Sequence, residues 1–124
     1  MKIVVDGNDG TGKSTIVALL RELGYEVQDR GIPTKMTDDE SVKPEKDEFY
    51  LILDVPVEVS RMRLSQAGRD LNEKYHTTED LTFYRERFLR IARALPNTVL
   101  IDANCSIDNL LERCIQAMKS KSNI

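Results

Sequence analysis

Gly7, Gly12, Lys13 and Ser14 stand in the frame G-x-x-x-x-G-K-[ST], inside the stretch VVDGNDGTGKST at residues 4–15. That frame belongs to a loop that cradles the phosphates of a nucleotide. Each residue type has a physical reason. Gly10 and Gly12 let the backbone turn with no Cβ in the way, so that successive N–H groups point into one hollow. A helix starting near Lys13 adds its positive dipole end. Lys13 supplies a compact positive charge for the β- and γ-phosphates. Ser14 offers a hydroxyl to Mg²⁺, a cation that prefers oxygen ligands and substrate phosphates to a protein cage. Asn8, Thr11 and Thr15 complete the expected nucleotide-contacting set, and ATP and Mg²⁺ are the expected cofactors. Asp9 is the odd member, because a carboxylate repels phosphates.

The flanking residues have the order such a loop needs. Lys2-Ile3-Val4-Val5 reads as a buried strand before it. Ile16, Leu19, Leu20 and Leu23 recur at helical spacing after it, and Gly24 stops the run. Tyr25 to Asp29 alternates like a second strand. Residues 31–48 carry two prolines and much charge, a lid-like composition. Phe49 to Leu53 is the most strand-like run, followed by Asp54, which is expected to shape the strand end or cap the next helix. Pro56 suits a first helical turn, and Val57, Val59 and Met62 give that helix an apolar side. Residues 68–77 form a second lid-like connection. Thr77-x-x-Asp80 resembles a capping box. Leu81, Tyr84, Phe88, Ile91, Ala92 and Leu95 keep a helical rhythm until Pro96. Thr98 to Ile101 is a fourth strand, ending at Asp102. Ile107, Leu110, Leu111, Cys114, Ile115 and Met118 build a closing helix, with a frayed tail after it.

Strands alternating with helices predict an α/β fold: a small parallel sheet of about four strands flanked by helices in three layers. Ligands in such sheets bind beyond the carboxyl ends of the strands. Asp6, Asp29-Arg30, Asp54 and Asp102 all fall there. The 124 residues suit one domain, 1–124. A net charge of −3 gives no nucleic-acid signature. The apolar runs are too short to cross a membrane, and no signal peptide precedes the first strand. Cys105 and Cys114 make neither a disulfide framework nor a metal spacing, so both are expected as reduced apolar fillers. These features suit the cytoplasm.

Beyond the loop, longer passages match a known family. DGNDGTGKST resembles the loop of the thymidylate kinases, which places an acidic residue inside the frame. QDRG is similar to the family's Asp-Arg after a central strand. FYLILDVPVEVSRMRLSQAGR resembles its LDV-P-E passage, EKYH its lid-to-helix stretch, and VLIDANCSIDNLLERC its last strand, adenine loop and final helix. The resemblance covers about residues 1–30 and 49–118. It implies a P-loop nucleotide kinase fold. It implies that Asp9 faces the acceptor sugar, that Asp29 holds Mg²⁺ through water or orients the acceptor, and that Arg30 pairs with the acceptor phosphate. Asn104 and Ser106 would line the adenine pocket. Family members tend to be dimers, so a homodimer is allowed. They are also longer: one strand and the helices that help enclose the monophosphate have no counterpart here.

Phosphoryl transfer needs positive charge on the migrating group. No arginine lies in the loop itself, so Arg69 in the 68–77 connection is the expected catalytic arginine, with Lys74 and Arg63 behind it. His76, the single histidine, has no evident partner in the sequence and reads as a polar surface group. Tyr75 and Phe49 could stack on a base, but core packing is the simpler expectation. The function expected is an ATP-dependent nucleoside-monophosphate kinase, with dTMP or another deoxynucleoside monophosphate as acceptor. Two alternatives stay open. One is a kinase of another small acceptor such as a nucleoside. The other is a nucleotide-binding module without a full acceptor site.

Overall fold

The computed structural model describes residues 2–28 and 47–122, with the side chains of 121 and 122 excepted. Asp29, Arg30 and residues 31–46 of the first lid-like segment lie outside the described residues. The elements run β1 (Lys2–Gly7), α1 (Lys13–Glu22), β2 (Val27–Gln28), β3 (Glu48–Asp54), α2 (Val57–Gln66), α3 (Thr78–Ala94), β4 (Thr98–Asp102) and α4 (Ile107–Ser122). The strands form one parallel sheet of four in the order β2-β1-β3-β4. β1 and β3 are central neighbours, and the chain leaves them toward opposite edges. The loop after β1 therefore sits at the switch point of the sheet, where a crevice opens.

Alternation along the strands separates two cores. Ile3, Val5, Phe49, Leu51, Leu53 and Ile101 pack with Ile16, Val17 and Leu20 of α1 and Leu110, Cys114 and Met118 of α4. Val4, Tyr50 and Ile52 face the other way and meet Phe88 of α3, with Tyr84, Ile91, Ala92 and Leu95 around it. The three-layer α/β architecture expected from the strand–helix alternation is present.

Several local expectations need correction. β2 begins at Val27, not Tyr25: the Tyr25 N–H is spent on Leu20 O as the chain leaves α1. The second half of the α1 stripe shifts: Val17 is buried, while Leu23, at the C-cap, is 56% exposed. Glu48, placed in the first lid-like segment, is the first residue of β3. α2 buries Ser60 and Leu64, not Met62, which is 51% exposed. Pro56 is the N-cap residue of α2, and no side chain caps it, so Asp54 does not take that role. α4 continues through Ser122, past the start of the expected frayed tail. Thr77 does cap α3: its hydroxyl accepts from Asp80 N at 3.1 Å. The Asp80 carboxylate does not close a reciprocal box on Thr77; it accepts from Tyr75 N at 2.9 Å.

Among the described residues no helix is long and apolar enough to cross a membrane. Cys114 is fully buried between α1 and the sheet, as expected of an apolar filler. Burial pushes its thiol up to about 12, and Cys105 adds to the shift.

Two predictions follow from this packing. A Cβ on Gly7, at φ +142°, would stand 2.4 Å from the carbonyl oxygen of Leu53, a backbone atom that cannot turn away. Gly7→Ala should cost about 3 kcal/mol or more in a urea unfolding curve. Gly24→Ala, also at positive φ but facing open space, should cost only about 1–2 kcal/mol; equal losses would mean that backbone conformation, not the approach of β3, sets the requirement at Gly7. For Cys114, the unfolded thiol ionises near pH 9 and the buried one near pH 12. Its contribution is whole below about pH 9 and is lost as the pH rises toward 12, because only the unfolded chain sheds the proton there. The urea midpoint should fall more steeply over that range for the native sequence than for Cys114→Ala.

Candidate functional site

The site begins where β1 stops hydrogen bonding. Gly7 N–H turns back onto Asp6 Oδ1 at 2.8 Å. The Thr11 hydroxyl, buried inside the loop, donates to Asn8 O at 2.7 Å and closes it. Asn8 donates from Nδ2 to Leu81 O at 2.9 Å and ties the loop to the first turn of α3. The Asn8 amide thus ties the loop to α3 and the Thr11 hydroxyl bonds within it. Gly10 has φ +84° and Gly12 φ +99°. Gly12 is the N-cap residue of α1, and no side chain caps that end. The first N–H groups of α1 are left for a ligand, and the dipole there favours an anion. Lys13 is half-buried at the same point, and Ser14 and Thr15 are exposed beside it.

The loop rests on α2. A Cβ on Gly10 would lie 2.8 Å from Ser60 O. Arg63, one turn further on, donates from Nη1 to Gly10 O at 3.3 Å and from Nη2 to Ala103 O at 3.0 Å. By its sequence position Arg63 is a reserve for the mobile arginine. In the structure it is a strut that joins the loop, α2 and the end of β4. Lys74, the other reserve, has its Nζ 5.0 Å from the centre of the Tyr75 ring.

A cavity of about 490 Å³ opens beside the loop. Gly7, Asn8, Asp9 and Lys13 form one side, and Tyr75, Tyr84, Arg87 and Phe88 form the other. Tyr84, Arg87 and Phe88 were not expected there. The helical rhythm of Tyr84 and Phe88 marks a buried face, but not that its upper end borders a hollow instead of core, and Arg87 stands outside that rhythm. Tyr75 is not a core residue: it is 45% exposed, and its ring centre is 5.4 Å from that of Tyr84. Its φ of +72° is costly for an aromatic residue. The bond from Tyr75 N to Asp80 and the one from His76 N to Glu73 O hold it there. Phe49 is core, as expected.

α3 is pinned next to the cavity. Arg85 meets Asp54 with both branches, Nε to Oδ1 at 2.9 Å and Nη2 to Oδ2 at 3.1 Å. That hydrogen bond raises the Arg85 pKa above its usual value, against the opposing effect of partial burial, and the charges of Asp54 and Glu58 add to it. Asp54 therefore anchors a helix to the end of β3, a structural role that its position at a strand end foreshadowed.

His76 departs most from expectation. It is buried, not a surface group. Its Nε2 lies 3.0 Å from Asp9 Oδ2 and its Nδ1 3.1 Å from Asp70 O. The other Asp9 oxygen lies 3.7 Å from Lys13 Nζ. The loop carboxylate is thus shared between a lysine and a histidine. The 68–77 connection that carries His76 is fastened by Arg61, whose Nη1 donates to Leu71 O at 3.1 Å and His76 O at 2.9 Å. Arg69 has its N–H on Leu64 O and an exposed side chain. At the other end of the sheet's carboxyl edge, Asn104 N–H bonds Asp102 Oδ1 and Ser106 Oγ accepts from Asn109 N at the start of α4. Among the described residues no three His, Cys, Asp or Glu side chains cluster as a metal site.

No family model and no curated protein sequence matches the chain. Solved structures do. A deoxyadenosine kinase from M. mycoides, in complex with the products dCMP and a flexible dCDP, aligns with a TM-score of 0.70 at 18% identity, over 97% of this chain and 99% of that one. The same kinase with dATP bound gives 0.66 at 16% identity, over 96% and 100%. The YorR protein of Bacillus subtilis, in complex with phosphorylated GDP, gives 0.70 at 17% identity, over 100% and 99%. At these identities the likeness establishes the architecture, a four-stranded parallel sheet flanked by helices that structurally matches kinases.

Proposed function

We propose that the chain is an ATP-dependent phosphotransferase whose acceptor is a nucleoside monophosphate, in the manner of the thymidylate kinases its motifs resemble. The observation that carries this reading is the cavity between the loop and α3. A bare nucleotide-binding module needs only the loop. Here a hollow of about 490 Å³, a size suited to one small ligand, runs from the loop and Lys13 to an aromatic wall on α3. Tyr75, Tyr84 and Phe88 offer apolar and aromatic surface for a base, Arg87 offers positive charge, and Asp9 offers an acceptor for a sugar hydroxyl.

The donor half rests on the glycine-lined turn, the uncapped start of α1 and Lys13. ATP would lay its phosphates along those N–H groups, with Lys13 on the β- and γ-phosphates. The exposed Ser14 hydroxyl beside the loop suits Mg²⁺, which takes most of its ligands from phosphate and water; when bound, the ion neutralises charge on the phosphates. In the transfer an acceptor oxygen forms a bond to the γ-phosphorus as the bond to the β–γ bridging oxygen breaks, and ADP leaves. A monophosphate oxygen is already nucleophilic, so positioning and electrostatics carry the step. Asp29 and Arg30 for the acceptor phosphate, Arg69 for the migrating group and Asn104 for adenine remain parts of the proposal. A second reading, transfer to a nucleoside, is supported by the fold-level likeness to a deoxyadenosine kinase.

The test is ADP release from ATP and Mg²⁺ with a panel of ribo- and deoxynucleosides and their monophosphates. Acceptor-dependent turnover is expected, best with a deoxynucleoside monophosphate, and Lys13→Ala should lower it by about 100-fold or more. Tyr84→Ala should raise the acceptor KM by about tenfold with little effect on the KM for ATP. Best turnover with nucleosides would select the second reading. ATP binding without turnover on any acceptor would overturn both.

A further inference from the structure

We infer that His76 is a positioning residue: it draws the Asp9 carboxylate off Lys13, freeing the lysine for phosphates and fixing the carboxylate at the mouth of the acceptor cavity. The acceptor consequence rests on the kinase reading; the consequence for nucleotide binding does not.

Asp9 lies within the phosphate-binding frame, four residues before Lys13. With no other partner, its carboxylate would settle on the nearest cation, and that cation is the lysine the phosphates need. The geometry shows the contest. Oδ1 is 3.7 Å from Lys13 Nζ, beyond hydrogen-bond length, while Oδ2 is 3.0 Å from His76 Nε2. The shorter contact is to the histidine, and it is a hydrogen bond when Nε2 carries the proton.

The imidazole is built to hold its place. Its side chain is 3% exposed. Nδ1 faces Asp70 O at 3.1 Å, with the Glu73 carboxylate 3.7 Å away. Both ring nitrogens therefore look onto oxygen acceptors. The backbone on either side is fixed, by Arg61 on the carbonyls of Leu71 and His76 and by His76 N–H on Glu73 O. A ring held in this way needs no ordering when a nucleotide arrives. The residue after Tyr75 is thus tied to the loop, so the same connection sets one cavity wall and the direction of the carboxylate opposite it.

The test compares two substitutions that split the contacts of the ring. His76→Asn can still reach Asp70 O but not Asp9, while His76→Gln extends a donor to Asp9. Binding of ATP with Mg²⁺ is measured by calorimetry, and the acceptor KM and kcat by ADP release. His76→Asn should weaken ATP binding by about tenfold, and His76→Gln by no more than about twofold. In an Asp9→Asn background the His76→Asn change should become silent for ATP, because the carboxylate that competes for Lys13 is gone. The acceptor KM should rise by about tenfold in His76→Asn with kcat within about twofold. Equal ATP binding by the Asn and Gln variants, or a loss that persists with Asp9→Asn, would overturn the inference and leave His76 a packing residue. If His76→Asn does not fold, His76→Gln decides: native-like ATP binding supports the inference and a tenfold loss overturns it. Absence of turnover in the native chain would sink the kinase reading while the calorimetry still judged His76.

Discussion

The glycine-rich loop after β1 lies directly on backbone. Gly7 passes over the carbonyl of Leu53 at the end of β3, and Gly10 passes over that of Ser60 in the first turn of α2, each too close for a Cβ. No side chain separates the loop from the sheet and helix beneath it. The rest of the site inherits its position from this contact. The β1–β3 register, with Gly7 opposite Leu53, sets where the loop leaves the sheet. Ser60 is small and fully buried because Gly10 lies against it. Arg63 then reaches the Gly10 carbonyl from below. Close approach of this kind transmits position well, because packed backbone has few alternative arrangements.

On that base the electrostatics are arranged by subtraction. Asp6 and Asn8 side chains, and the Thr11 hydroxyl, bond within the loop or to α3. Arg63 is held on carbonyls, and Arg85 on Asp54. What the loop leaves to a ligand is the uncapped start of α1, Lys13, and one carboxylate held to the side. The acidic residue of the loop has its second oxygen against a buried imidazole.

Much of the fold was legible in the sequence, because it rests on local period. The strands at 2–5, 49–53 and 98–101 are legible as β-branched and apolar runs, and the stripes of α3 and α4 from helical spacing. The Thr77 cap and the glycine turn between β1 and α1 are legible from short-range chemistry. What escaped depends on approach between distant segments. Met62 seemed a core residue of α2, but that helix turns Ser60 inward because a glycine backbone must sit on it. His76 showed no partner, since Asp9 lies 67 positions away. Arg63 was a mobile reserve by charge and a strut by geometry. Tyr75 reads by its aromaticity as core or as a stacking surface for a base, and a left-handed backbone places it at the cavity.

Those misses share a location. Ser60, Arg63, Tyr75 and His76 all lie between the end of β3 and the start of α3, the stretch that carries the chain around the loop's flank. Residues there answer to the loop and the cavity before they answer to helix or turn preference. The φ of Tyr75 is the clearest case. A glycine or asparagine would hold that turn at less cost, yet the position carries a large ring that meets Tyr84 and lines the hollow. The cost of that backbone is borne by a side chain that forms a wall of the cavity beside Lys13.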